Sequence, residues 1–387
     1  MRLFRNLSVI LLSFALAAPA HAFETSARAA YVVDVTTGTV LLNKNADTPL
    51  PPASMSKLMT LYVAFEAVRS GRLTLDERLP VSQHAMSFGG STMFLDTTDR
   101  VRVEDLLRGI VVLSGNDACV VIAEALSPDG TEAGFARFMT QRAQQLGMTN
   151  SVFKNASGWP AEGHVMSMRD LALLSRRIIE DFPEFYEMFA ETEFRFDGRA
   201  PSNIHNRNPL LGLGIGADGL KTGHTQEAGY GLTGSAKQGD RRVIFAISGL
   251  DSMQARARES EAIVNWAFRQ FAQKSVVKAG EELARAPVWM GEAATVGLTP
   301  AEDVNTLLPV LDGGELKAEI VFTGPVRAPL AKGDVLAELV FAPADLPETR
   351  VPLVAAEDVA QGGFLTRLRT VSGLLLSRLQ QGPEGTL

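Results

Sequence analysis

The sequence predicts an α+β domain with a helical insert, then a small all-β domain and a C-terminal amphipathic helix. Four observations carry this prediction. A hairpin pattern opens the chain, two strand patterns joined by a tight turn return only after a long helical stretch, and a helix pattern closes that region. From Ser275 onward, short apolar runs separated by Gly, Pro and Asp replace helical periodicity. First strands that pair with last ones make residues 23–273 one domain. The β-rich domain is expected over 275–360 and the terminal helix over 363–381.

In chain order, residues 1–22 read as an export signal. Arg2 and Arg5 form a positive start, Leu7 to Ala17 an apolar run, and Ala20-His21-Ala22 a cleavage pattern, so the mature chain is expected to begin at Phe23. The run is shorter than the ~20 residues a membrane-spanning helix needs. Ala29–Val35 and Thr39–Leu42 flank Thr36-Thr37-Gly38 as a hairpin. Pro51 and Pro52 then stop the chain, and Leu58, Leu61, Tyr62, Phe65 and Val68 recur at helical spacing up to Gly71. The first turn of this helix carries Ser54 and Lys57.

Further helices are expected at Val103–Val112, Asp117–Leu126, Glu132–Leu146 and Ser167–Ile179. Strands are expected at Gly219–Thr222, Gly229–Ala236 and Arg242–Gly249, with Lys237-Gln238-Gly239-Asp240 turning between the last two, and a helix over Glu259–Phe271 follows. In the β-rich region Ala318–Phe322, Val335–Phe341 and Arg350–Val354 read as strands of a spacer or binding module. In the tail, Phe364, Leu368, Val371, Leu375 and Leu379 share one helical face, and Arg367, Arg369 and Arg378 flank or oppose it. That pattern suits a helix lying in a membrane interface.

At 387 residues and 46% hydrophobic content the chain is long enough for two cores. Its net charge of −7 argues against a broad nucleic-acid surface. Five histidines and one cysteine show no metal-ligand spacing, so neither metal nor cofactor is expected. Cys119, inside an apolar helical run, is expected to be an inert packed thiol.

Ser54 and Lys57 lie three residues apart, hence on one helical face. A serine hydroxyl becomes a nucleophile when a base takes its proton, and a lysine is that base only when burial or nearby cations keep it neutral. Taken alone, the pair is equally what a capping serine and a solvated lysine look like. Two further stretches change this. Ser114-Gly115-Asn116 lies between apolar helices, and Lys221-Thr222-Gly223-His224 lies on an expected strand. The three stand in the order S-x-x-K, S-x-N, K-T-G, as in penicillin-recognising serine enzymes.

Pro52–Thr60, Ser114–Cys119 and Asp218–Thr225 closely resemble the corresponding segments of low-molecular-mass penicillin-binding proteins that are D-alanyl-D-alanine carboxypeptidases. The resemblance covers essentially the whole mature chain and implies a β-lactamase/transpeptidase-like catalytic domain. It implies that Ser54 attacks the carbonyl between the terminal D-alanines of a peptidoglycan stem peptide, with Lys57 as base. Ser114 then relays a proton to the leaving amine, Asn116 bonds the peptide and positions Lys57, and Lys221 supplies positive potential. The backbone N–H groups of Ser54 and His224 form the oxyanion hole beside Gly223. Thr222 and an arginine just before the last helix, Arg256 or alternatively Arg258, bind the substrate carboxylate.

The implied partners are stem peptides, β-lactams and, through the tail, a membrane surface; nucleic acid is not among them. The implied location is periplasmic, at the outer face of the inner membrane. Ser114-Gly115-Asn116 is not S-D-N and no E-x-x-L-N segment is present, which disfavours a class A β-lactamase. An endopeptidase or transpeptidase would use the same residues, and a catalytically idle scaffold would need none of them.

Overall fold

The computed structural model describes residues 23–200, 202–310, 316–343 and 346–364. The expected export signal lies outside them, as does the expected tail helix beyond Phe364.

The hairpin is present as β1 (Ala29–Asp34) and β2 (Thr39–Lys44). A 3₁₀ turn over Ala53–Ser56 leads into α1 (Lys57–Arg69). The insert continues through β3 (Arg78–Pro80), α2 (Gln83–Met86), β4 (Arg100–Arg102) and α3 (Val103–Arg108). After it come α4 (Asn116–Leu126), α5 (Glu132–Gln145), α6 (Met168–Asp181) and α7 (Pro183–Tyr186). The chain returns to the sheet with β5 (Ala217–Thr225), β6 (Gly229–Gln238) and β7 (Arg241–Leu250), then packs α8 (Met253–Gln270) across it.

The sheet order β2-β1-β7-β6-β5 pairs the first strands with the last and leaves β5 at an edge. Successive side chains of a strand point to opposite faces, and both faces are covered. Ala29 and Tyr31 enter the core under the helical insert, while Ala30 and Val32 enter the core under α8. Asp34, fully buried at the end of β1, is held by Arg241 Nε at 2.9 Å.

Two helices depart from expectation. The segment expected as one helix over Val103–Val112 changes after Arg108 into a π-helical turn over Gly109–Leu113, and the chain leaves it through Ser114 at φ +61. α8 begins at Met253, earlier than Glu259, because Ser252 accepts a hydrogen bond from the Ala255 N–H and caps it. Its polar first turns, with Gln254, Arg256 and Arg258, carry little apolar periodicity.

α8 runs straight into β8 (Phe271–Val277), which pairs with β11 (Val304–Pro309). The six-stranded sheet has the order β12-β14-β15-β10-β9-β13, formed by β9 (Ala284–Trp289), β10 (Thr295–Pro300), β12 (Ala318–Val321), β13 (Val326–Arg327), β14 (Val335–Phe341) and β15 (Thr349–Ala355). Its own core includes Val296, Leu298, Leu339, Phe341 and Leu353. The expectation of a small all-β domain holds, with more strands than the three read from sequence.

Candidate active site

Ser54 lies in the 3₁₀ turn rather than in α1, which starts at Lys57. Ala53 takes a left-handed φ of +48 immediately before it, a conformation that costs an L-residue roughly 1–2 kcal/mol. The turn still places the two side chains together: Lys57 Nζ donates to Ser54 Oγ at 2.8 Å and to the Ser157 carbonyl at 2.6 Å. Lys57 is fully buried, and burial, helped by the Arg207 charge and opposed by Asp117, lowers its pKa to about 8. A neutral amine beside a serine hydroxyl is the general base that nucleophilic catalysis needs.

The Ser157 carbonyl is aimed by a loop that sequence reasoning missed. Asn155 Oδ1 accepts from the N–H groups of Ser157, Gly158 and Trp159, folding the loop against the nucleophile turn. Gly158, at φ +77, sits where a Cβ would lie 1.9 Å from the Ala53 carbonyl oxygen. Underneath, Ser56 Oγ lies 2.8 Å from His164 Nε2, and His164 Nδ1 accepts from the Lys154 N–H at 3.3 Å. With Nδ1 as acceptor, Nε2 carries the proton and donates to Ser56.

His164 is buried, and burial together with the positive charges of Lys57 and Lys154 lowers its pKa to about 4. The unfolded chain therefore takes up this proton first as the solution is acidified. The His164 contribution to unfolding free energy should be full above the ordinary histidine value and fall by about 3 kcal/mol as pH drops to about 4. His164→Gln should flatten that part of a pH series of urea denaturation curves; an unchanged slope would remove His164 as its source.

Ser114 and Asn116 reach the site from the break between the π turn and α4. Both are buried, and Ser114 Oγ makes no hydrogen bond to another described residue. Asn116 Nδ2 donates to the Gly89 carbonyl at 2.8 Å, so within the chain it holds the segment before Ser91 rather than Lys57. Asp117 continues this work by accepting from the N–H groups of Met93 and Leu95. Cys119 is buried behind them, and burial pushes its thiol up to about 12, which leaves it an unreactive packing group.

β5 forms the opposite wall. Gly223 passes so close to the nucleophile turn that a Cβ there would meet the Pro52 carbonyl at 2.9 Å and Ala53 Cβ at 3.2 Å. Lys221 is buried, and burial, then the charges of Lys57 and Arg207, hold its pKa well below the ordinary lysine value. His224 is exposed and stacks on Tyr230 with ring centroids 3.8 Å apart.

Arg256 is in the first turn of α8, not ahead of the helix. It is buried, packs over the Tyr230 ring, donates to the Arg207 carbonyl at 3.3 Å, and its Nε has no hydrogen-bond partner among the described residues. Arg258 is exposed on α8 and does not line the cleft. Arg207, which carries no motif, reaches Ser91 Oγ at 2.6 Å. The resulting cleft of about 270 Å³ is lined by Ser54, Ser114, Thr222, His224, Tyr230 and Arg256, among others. Arg207 and Arg256 bring positive charge to it beside the buried amines of Lys57 and Lys221, without a carboxylate paired to any of the four among the described residues. In a chain of net charge −7, that concentration marks a site for an anionic ligand.

A buried lysine on a serine, facing a cationic strand edge, defines a serine acyl-transfer enzyme. The chain belongs to the D-alanyl-D-alanine carboxypeptidase family: the family described by that name matches residues 15–252, and the one described as penicillin-binding protein 5, C-terminal domain, matches residues 271–361. The chain is 36% identical to D-alanyl-D-alanine carboxypeptidase DacC of Escherichia coli (strain K12), over 92% of this chain and 90% of that protein. Its structure is similar to that of penicillin binding protein 5 from Haemophilus influenzae, with a TM-score of 0.77, 32% identity, and coverage of 88% of this chain and 100% of that one. Penicillin-Binding Protein D2 from Listeria monocytogenes, solved in the ampicillin-bound form, matches at 35% identity and a TM-score of 0.57, over 63% of this chain and 98% of that one.

Proposed function

We propose that the protein is a serine D,D-carboxypeptidase that removes the terminal D-alanine of peptidoglycan stem pentapeptides through an acyl-enzyme on Ser54. The observation that carries this is the fully buried Lys57 amine, 2.8 Å from Ser54 Oγ with its pKa lowered to about 8. Lys57 takes the hydroxyl proton as Ser54 Oγ attacks the carbonyl between the two D-alanines. The backbone N–H groups of Ser54 and His224 receive the oxyanion. Ser114 passes the proton to the leaving amine, and Asn116 bonds the peptide.

Thr222 and Arg256 hold the terminal carboxylate beside Gly223, and Lys221 is the third group facing it. With its charge disfavoured by burial in the free protein, Lys221 regains its proton most easily when that carboxylate arrives. Water then attacks the acyl-enzyme and releases the shortened peptide. Intact-protein mass spectrometry after benzylpenicillin, with peptide mapping and a D-alanine release assay, tests this. The expected result is one adduct, on Ser54, and release of D-alanine; an adduct mapped elsewhere sinks the assignment.

The export signal over 1–22 and the arginine-flanked tail support a periplasmic enzyme attached peripherally to the inner membrane. Among the described residues no helix is long and apolar enough to cross a membrane. Deleting 363–387 should release the protein from membranes and preserve D-alanine release, because Ser54, Lys57 and Lys221 all precede the β-rich region. High salt should weaken attachment of the full chain by screening the arginines. A truncated form that still pellets with membranes would place the attachment elsewhere.

A further inference from the structure

The loop that aims the Ser157 carbonyl at Lys57 is tied down next door, at Ala156. The Ala156 carbonyl accepts from Thr60 Oγ1 on α1 at 2.6 Å, and its N–H donates to Glu132 Oε1 at 3.0 Å. Glu132 is the first residue of α5 and only 9% exposed. It is not needed to cap that helix, because Thr131 Oγ1 already accepts from the Gly134 N–H. Its carboxylate is spent on the loop and on one other partner: Oε2 accepts from His84 Nε2 at 2.9 Å. Burying a carboxylate is costly unless its oxygens are bonded, so both contacts matter to where Glu132 sits.

His84, on α2, keeps about half of its side chain in solvent and reaches the same loop by a second path. Its ring meets Phe88 edge to face at 5.1 Å, and Phe88 meets Trp159 in the same way at 6.3 Å. The Trp159 N–H is one of the three held by Asn155. Ala156 and Trp159, on either side of Ser157, are therefore both connected to His84.

We propose that Glu132, held by His84, is a positioning residue for acylation: it fixes Ala156 and so keeps the Ser157 carbonyl on the Lys57 amine. The inference rests on Lys57 as the base of the reaction proposed above. Glu132 does not line the cleft and acts only through the loop. A loosened loop has two effects. A carbonyl that accepts from an amine favours its charged form, so as the carbonyl drifts away the neutral base forms at lower pH. The amine is also less well aimed at Ser54 Oγ, so the limiting rate at high pH falls. Loss of stability alone would lower the active fraction and leave the midpoint of the profile in place. The groups whose charge acts most on Lys57 are Cys119, Arg207 and Asp117, not Glu132, and Lys221 and His164 feel the Lys57 charge in turn. All five are the same in every protein compared below.

The test is the pH profile of benzylpenicillin acylation for the mature protein and for Glu132→Gln, Glu132→Ala and His84→Ala, with urea denaturation reporting that each has folded. Glutamine keeps an oxygen for the Ala156 N–H without the charge, and should retain the midpoint and at least about half of the limiting rate. In Glu132→Ala the limiting rate should fall about tenfold and the midpoint move to lower pH by about 0.5. His84→Ala, altered at the surface, should fall about threefold with its midpoint moved in the same direction, and it decides the matter if Glu132→Ala does not fold. A Glu132→Ala midpoint equal to that of the parent, or a His84→Ala profile that overlays the parent's, overturns the positioning role. A parent that labels at Ser54 with a rate flat in pH overturns Lys57 as the base, and the positioning role with it.

Discussion

Lys57→Ala should lower the rate of benzylpenicillin acylation at Ser54 by about 10³-fold or more, because the amine bonded to the nucleophile is then gone. Stability should change by less than about 2 kcal/mol, since losing the packed lysine stem and relieving a buried amine act in opposite directions. Lys57→Arg should fare no better: a guanidinium stays charged and cannot accept the proton. In the unaltered protein the acylation rate should rise with pH through about 8, as Lys57 loses its proton. The same shift carries a stability sign. Below about 8 the fold bears the cost of a buried ammonium, about 3 kcal/mol, and that cost is relieved as pH climbs towards the ordinary lysine value. Stopped-flow acylation and denaturation across pH are the measurements; near-normal labelling of Lys57→Arg would remove Lys57 from the role of base.

Gly158→Ala should destabilise the catalytic domain by about 3–5 kcal/mol, the range reached when a left-handed backbone and a hard clash coincide. The new Cβ would lie 1.9 Å from the Ala53 carbonyl oxygen and 3.0 Å from Ser56 Cβ. Neither partner can easily retreat. Ala53 is itself in a strained conformation beside the nucleophile, and three N–H groups of the Gly158 loop are fixed on Asn155. Any relaxation also draws the Ser157 carbonyl away from Lys57, so penicillin acylation should fall at least about tenfold in the fraction that remains folded. Urea denaturation and labelling kinetics decide it: a variant within 1 kcal/mol of the parent, with unchanged labelling, would show that the loop does not brace the site.

What was legible in the sequence was the chemistry that repeats in short, ordered motifs. Ser54 with Lys57, Ser114 with Asn116, and Lys221 with Thr222 each sit at a spacing set by a local element, so linear order was enough to bring them forward. The hairpin, most helices of the insert and the pairing of first with last strands followed from apolar periodicity and turn residues. Arg207 was not legible, because it lies in a loop with no period and reaches the cleft only through the tertiary fold. Asn155 and Ser157 belong to no motif and no apolar period, and nothing in their order says that a carbonyl there would face a lysine 100 residues away. β8 escaped because it follows α8 without a turn. Asn116 was read as a partner of Lys57, yet in the folded chain its amide donates to Gly89, a contact with no local signature.

The edge position of β5 has a consequence for how the protein behaves at high concentration. An unpaired strand edge is a template on which any other extended chain can add, and long ones invite self-association. Here the edge is shortened from both directions. Asn208 Nδ2 occupies the Gly219 carbonyl at 2.9 Å, and the Ala53–Ser56 turn is pressed against Gly223. What stays exposed beyond that turn is His224 and part of Thr225, next to the cleft's buried arginines. A strand from a second protein, typically about five residues or longer, finds too little ladder to grip, while a short peptide ending in a carboxylate finds enough.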